Sequence, residues 1–116
     1  MAAGYYKVDN LVAILDANNL QGDDFVEKQM NYFPVIEKVS AFGWHTIKID
    51  GHNFEQIRKA LSEAKNTKEK PTFILAHTMK GKGVSFMENS KYWHGSVEMT
   101  DEELKRALEE LEVKNE

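Results

Sequence analysis

A chain of 116 residues has room for one domain at most, large enough to bury roughly 65% of its unfolded surface. Its 41% hydrophobic and 29% charged residues describe an ordinary globular chain, and the net charge of -4 argues against a nucleic-acid or anionic-membrane surface. No apolar run approaches bilayer length, Met1-Ala2-Ala3-Gly4 carries no signal-peptide pattern, and zero cysteines exclude disulfides and thiolate metal sites, so the expected setting is cytoplasmic.

From Leu11 to Leu15 both alternating faces are apolar, which predicts a central strand of a parallel sheet. A polar stretch, Gln21-Gly22-Asp23-Asp24, precedes a helical pattern at Val35, Ile36, Val39 and Phe42 that Gly43 stops. A second strand is expected at about Trp44 to Ile49, ended by Asp50-Gly51. Asn53 is placed to cap the next helix, with Gln56 in the capping-box position and Phe54, Ile57, Leu61 and Ala64 as its buried stripe. Lys65 to Pro71 reads as a solvated linker, and Thr72 to Ala76 as a third strand, again apolar on both faces. Thr100 with Glu103 forms another capping box ahead of Leu104, Ala107, Leu108 and Leu111, after which the acidic tail frays. The succession is β-α-β-α-β-loop-α, which requires a parallel sheet with right-handed crossovers. If the strands pair in sequence order, both crossover helices fall on one face and only the final helix is left for the other, which is thinly covered.

Three places carry chemistry. Asp16 to Asn19 place short oxygen-bearing side chains where a strand's carboxyl end opens into a ligand crevice. An Asn18 amide oxygen with a carbonyl two residues on suits Mg²⁺, while the same Asn pair also suits a plain turn. Lys80-Gly81-Lys82-Gly83 reads as a flexible cationic loop fit for phosphate, and equally as a surface loop; it is not a nucleotide phosphate loop, because the upstream Gly and the following Ser or Thr are missing. Trp93-His94-Gly95 sets a histidine between an aromatic anchor and a glycine turn, against which stands a partly buried loop histidine. His45 and His77 read as strand-associated structural residues, and His52 as outer support to a site. Asp23 and Asp24 read as solvated carboxylates with ordinary pKa values. Trp44 and Phe42 fit a core, and Tyr5, Tyr6 and Tyr32 a partner surface.

The segment Gly4 to Asp16 resembles the transketolase family, in the domain that binds the diphosphate of thiamine diphosphate. Further matches follow in family order at Ala41-Phe42-Gly43-Trp44, Asp50-Gly51-His52, Lys80-Gly81-Lys82-Gly83 and Trp93-His94-Gly95, covering most of the chain. The resemblance implies an α/β fold: a three-layer parallel-sheet thiamine-diphosphate-binding (Rossmann-like) domain, incomplete, with residues 1–116 as its C-terminal part. It implies Asn18 as a side-chain Mg²⁺ ligand and Leu20 as a carbonyl ligand to the same ion. Asn18, Lys80 and His94 are then the cofactor-binding residues, and His94 is also the catalytic candidate, near the diphosphate and the donor substrate's oxygens. Lys82 is a general basic neighbour. The family often has Lys where His77 stands. Its motif also includes a Gly-Asp-Gly whose Asp ligates the metal, and no such triplet occurs in this sequence.

The implied activity is transfer of a two-carbon ketol unit between sugar phosphates, with thiamine diphosphate and Mg²⁺ as cofactors. A complementary transketolase chain is expected to supply the Gly-Asp-Gly segment and the pyrimidine-binding domain, in an oligomer without nucleic-acid or membrane partners. The other readings are a 1-deoxyxylulose-phosphate synthase-like component, which also tends to carry a Lys-Gly-Lys-Gly loop, and a non-catalytic folded fragment or interaction module. Ala41-Phe42-Gly43-Trp44 and Trp93-His94-Gly95 favour transketolase.

Overall fold

The computed structural model describes residues 1–22, 24–95 and 97–112. In chain order these form helix α1 (Ala2–Tyr5), strand β1 (Val12–Ala17), two short strands β2 (Leu20–Gln21) and β3 (Asp24–Phe25), and a 3-10 turn at Val26–Lys28. Helix α2 (Val35–Ala41), strand β4 (His45–Asp50), helix α3 (Phe54–Asn66), strand β5 (Thr72–His77) and helix α4 (Asp101–Glu112) follow. The expected alternation holds, and the antiparallel β2–β3 hairpin is an addition to it. The chain divides into two compact units, Met1–Ala17 with Tyr32–Thr78, and Asn18–Asn31 with Met79–Glu116.

The first unit is built on a three-stranded parallel sheet in the order β1-β5-β4. Pairing in sequence order is therefore wrong, and so is a central place for β1. The composition of the strands explains the outcome. β1 carries Asp16 and β4 carries Lys48 and Asp50, whereas Thr72-Phe73-Ile74-Leu75-Ala76-His77 has no carboxylate or lysine to keep in water. Thr72, Ile74, Leu75 and Ala76 are buried. β1, left at the edge, leaves Ile14 60% exposed.

The register aligns Ile14, Ile74 and Ile47 in one row and Leu15, Leu75 and Lys48 in the next, so the two rows face opposite sides. On the isoleucine side, Ile49, Ala60, Ile74 and Ala76 form the core with Ile47 and Ile57 packed against it, which seats α3 there. On the other side, Val35 and Ile36 of α2 share a cavity of about 300 Å³ with Lys48, Leu75 and His77. The chain moves from β1 past the place of β5 to β4 and then back, so right-handed crossovers put the two helices on opposite faces. The expectation of both on one face fails for this reason. The fold is α/β with a helix, sheet, helix layering. The uncovered apolar surface lies along the β1 edge, where Ile14 and Leu61 border an open cavity of about 260 Å³.

Local signals set the helix ends. Gly43 closes α2 at φ +84°, with its N–H donated to the Ser40 carbonyl at 2.9 Å. Asn53 Oδ1 accepts the Gln56 N–H at 3.0 Å, as a cap should. The Gln56 side chain, however, accepts the N–H of Asp50 at 2.8 Å instead of returning to Asn53. α3 runs on to Asn66, shortening the expected linker, and Pro71 is buried. Its core face is Ile57, Ala60 and Ala64; Phe54 is 88% exposed, since the first helical position points away from the sheet. Trp44 packs edge-on against Phe73 with ring centroids 6.4 Å apart, but Phe42 lies at the helix end and is exposed. Tyr5 and Tyr6 are exposed, and Tyr32 is half-buried, which with the Asp16 charge raises its phenol pKa.

In the second unit, both legs of the α4 capping box form: Thr100 Oγ1 accepts the Glu103 N–H at 3.2 Å, and Glu103 accepts the Thr100 N–H at 2.9 Å. Ala107 is buried, while Leu104 and Leu108 stay about half exposed at 49% and 50%, so the expected stripe is covered on one flank only. The fraying expected of the tail falls on Val113 to Glu116, outside the described residues, as does Asp23. Among the described residues no helix is long and apolar enough to cross a membrane.

Two outcomes follow. Ile74, 1% exposed in the central strand, should cost about 2–5 kcal/mol of unfolding free energy when changed to Ala, read from the urea midpoint at constant slope. The backbone and hydroxyl hydrogen bonds from Thr100 lower the Glu103 pKa below its ordinary 4.5. A depressed carboxylate pKa contributes stability above the ordinary value that is lost as pH falls through the folded one. Hydrogen exchange at the Thr100 and Glu103 amides should therefore accelerate below about pH 4.5 relative to the intrinsic rate. Glu103→Gln should abolish that dependence.

Candidate functional site

Asn18, Leu20, Lys80 and His94 all fall in the second unit. Asn18 follows directly on β1 and is half-buried, and its Oδ1 accepts the Leu20 N–H at 2.9 Å across Asn19, whose φ is +63°. That is an Asx turn, the plain reading of the Asn pair. The same turn aligns two oxygens. Asn19 bonds towards the β3 side, its carbonyl accepting the Val26 N–H at 3.0 Å. The neighbouring Leu20 therefore turns its N–H and C=O to the opposite edge of the ribbon, the edge on which Asn18 Oδ1 sits. Both oxygens are neutral and hard, the chemistry Mg²⁺ accepts. Among the described residues no group of three His, Cys, Asp or Glu is placed to hold a metal ion.

Lys80-Gly81-Lys82-Gly83 is a hydrogen-bonded turn. The Lys80 carbonyl accepts the Asn89 N–H at 3.0 Å, the Gly81 carbonyl the Val84 N–H at 3.2 Å, and Glu88 Oε1 the Gly83 N–H at 3.1 Å. Gly81 sits at φ +74°, and a Cβ there would overlap the Met87 carbonyl, so the turn closes only on glycine. Lys82 Nζ lies 4.0 Å from Glu88 Oε1. Lys80 is half-buried, and no ion pair of its ammonium occurs among the described residues. The turn's carboxylate and backbone partners downstream are announced by no Lys-Gly repeat.

Helix α4 holds the far side of this turn. Glu110 accepts the Ser85 N–H at 2.5 Å and its hydroxyl at 2.7 Å, and Arg106 stands over the Phe86 ring at 4.9 Å. Phe86 in turn meets Trp93 at a centroid distance of 5.7 Å, and Tyr92 meets Trp93 at 5.3 Å. Trp93 is thus the expected anchor, and Gly95 takes φ +73°. Between them His94 is exposed, its N–H donated to the Tyr92 carbonyl at 2.9 Å. Lys80, Gly81, Trp93 and Gly95 line one cavity of about 250 Å³, so the structure joins the cationic turn to the residues flanking His94. Asn18 and Leu20 do not line it.

The remaining polar residues sort by their contacts. Asp24 is not an ordinary solvated carboxylate: the Phe25 N–H, and then the Lys91 ammonium at 3.0 Å, hold its pKa below the usual value. His45 is structural as expected, opening β4 with Nε2 2.7 Å from Glu63 of α3. His77 ends the central strand, and its Nε2 is buried without a hydrogen-bond partner among the described residues. His52 is exposed in the turn after β4, its N–H donated to Asp50 Oδ1 at 2.9 Å. Glu88, Asn89 and Glu110 escape sequence reasoning because their partners are backbone groups that folding alone brings near. The Thr78 hydroxyl, likewise, bonds Asp16 at the ends of paired strands.

Comparison with known proteins identifies the family. The family described as "Transketolase, thiamine diphosphate binding domain" matches residues 1–116. The 6-deoxy-6-sulfo-D-fructose transketolase subunit SqwG of Clostridium sp. (strain MSTE9) is 41% identical over 112 residues, 97% of this chain and 40% of that protein. An apulose-4-phosphate transketolase subunit from Phocaeicola vulgatus is 36% identical, covering 99% of this chain and 43% of its own length. The Mus musculus transketolase is 45% identical over 93 residues, 80% of this chain and 14% of the relative. The chain thus spans less than half the length of these relatives. Among solved structures, transketolase from Campylobacter jejuni superposes with a TM-score of 0.86 at 35% identity, over 96% of this chain and 17% of that one. Matched from its first residue to its last and sharing that fold, the chain belongs to the transketolase family, in its thiamine diphosphate-binding domain.

Proposed function

We propose that residues 1–116 are the C-terminal part of a transketolase-like thiamine diphosphate-binding domain and hold the Mg-diphosphate end of the cofactor, in an enzyme that moves a two-carbon ketol unit between sugar phosphates. The observation that carries this is the gathering in one compact unit of two aligned neutral oxygens, a lysine without an ion pair among the described residues, and an exposed histidine flanked by residues that share a cavity with that lysine. Thiamine diphosphate, when bound, supplies the carbon nucleophile and the electron sink. Asn18 Oδ1 and the Leu20 carbonyl would ligate Mg²⁺, Lys80 would offset the diphosphate charge, and an imidazole N–H of His94 would donate to a diphosphate or donor-substrate oxygen. His94 is the catalytic candidate of this set.

Two neutral ligands leave the charge of Mg²⁺ without a protein carboxylate, and the sequence contains no Gly-Asp-Gly. Two relatives are named as subunits. This naming supports an assembly in which a complementary transketolase chain contributes a Gly-Asp-Gly segment and the pyrimidine-binding domain. We place the assembly in the cytoplasm as an oligomer.

Calorimetric titration of the assembled protein with thiamine diphosphate and Mg²⁺ tests the ligand assignment. Asn18→Ala should weaken Mg²⁺-dependent binding about 10- to 100-fold, as loss of a charge-assisted contact does. Asn18→Asp keeps an acceptor for the Leu20 N–H and should retain binding. Parent-like affinity in the Ala variant would remove Asn18 from the metal site.

A further inference from the structure

We propose that Glu88 is a positioning residue for the diphosphate site: it fixes the glycine turn that presents Lys80 and withdraws Lys82 from the ligand. This rests on the function proposed above and names how the two lysines of one turn come to differ. The Glu88 side chain is 30% exposed, and its Oε1 does two things at once. It accepts the N–H of Gly83 at 3.1 Å, a buried residue at φ +106°, a backbone conformation that residues with a side chain rarely adopt. It also lies 4.0 Å from the Lys82 ammonium. The next residue, Asn89, donates its N–H to the Lys80 carbonyl at 3.0 Å, so the Glu88-Asn89 pair grips both ends of the four-residue turn.

The consequence is a division of charge. Lys80 and Lys82 alternate along the same turn, and without a partner each would be an equal candidate for an anion. Glu88 takes Lys82 as its counter-ion, while the Lys80 side chain lines the cavity beside Trp93 and Gly95 with no ion pair among the described residues. A carboxylate near a diphosphate site is repulsive in itself, so its place is explained by what it holds and not by contact with the ligand.

The test compares thiamine diphosphate affinity, with Mg²⁺ present, in the assembled protein and four variants. Glu88→Ala loses the acceptor and should weaken binding about 10-fold, the scale of one hydrogen bond to a charged group. Glu88→Gln keeps an oxygen for the Gly83 N–H, removes a negative charge, and should bind within about threefold of the parent or more tightly. Lys80→Ala should weaken binding about 10-fold or more, and Lys82→Ala less than about threefold. Parent-like affinity in Glu88→Ala beside a weakened Lys80→Ala overturns the role of Glu88. A Glu88→Gln variant as weak as Glu88→Ala overturns the hydrogen-bond account, and it remains informative if the Ala variant does not fold. A loss in Lys82→Ala equal to that in Lys80→Ala overturns the division of charge. Parent-like affinity in Lys80→Ala removes the underlying diphosphate assignment, and this proposal with it.

Discussion

Pairing of Thr72–His77 along both of its edges is the constraint on which the rest of the structure depends. A strand bonded on each side and covered on both faces has no wet position, so only a run without carboxylates or lysines can occupy it. Once that run is at the centre, Asp16 of β1 and Lys48 and Asp50 of β4 are accommodated at the edges. The row Ala17, His77 and Asp50 then marks a common level at the carboxyl ends of all three strands. The chain passes into the second unit just after two members of that row, beyond Ala17 and beyond Thr78. Both segments that carry candidate ligands thus follow in sequence on two neighbouring strands of that sheet.

The second unit owes little to regular structure. Its β2–β3 hairpin is short, and among the described residues from Met79 to Thr100 there is no helix or strand. Order comes from side chains that satisfy backbone groups: Asn18 on Leu20, Glu88 on Gly83, Glu110 on Ser85. Such bonds hold irregular backbone in place where no ladder exists, which a ligand site needs if its donors are to be set before the ligand arrives.

What can be read from the sequence divides along the same line. Asn53 and Thr100 are legible as caps because a cap is settled within four residues, and Gly43 as a stop because its φ is local. The alternation of strands and helices is legible from periodicity. Strand order is not, since Leu11 to Leu15 and Thr72 to Ala76 are both apolar and only competition for the central place separates them. Phe54 misleads because spacing alone cannot say which end of a stripe overhangs the sheet. At the site, Asn18, Lys80 and His94 stand out through resemblance, whereas the partners that shape their surroundings are backbone atoms with no signature in any side-chain pattern.

The Gln56 side chain carries a last consequence. By accepting the Asp50 N–H while the Gln56 N–H bonds Asn53, it ties the first turn of α3 to the last residue of β4. The three residues between, Gly51, His52 and Asn53, are thereby a link of fixed span. An added or deleted residue there would set the helix out of phase by about 100°, swinging Ile57 and Ala60 off the isoleucine face. The loop's length is therefore part of the core's design, although none of its side chains enters the core.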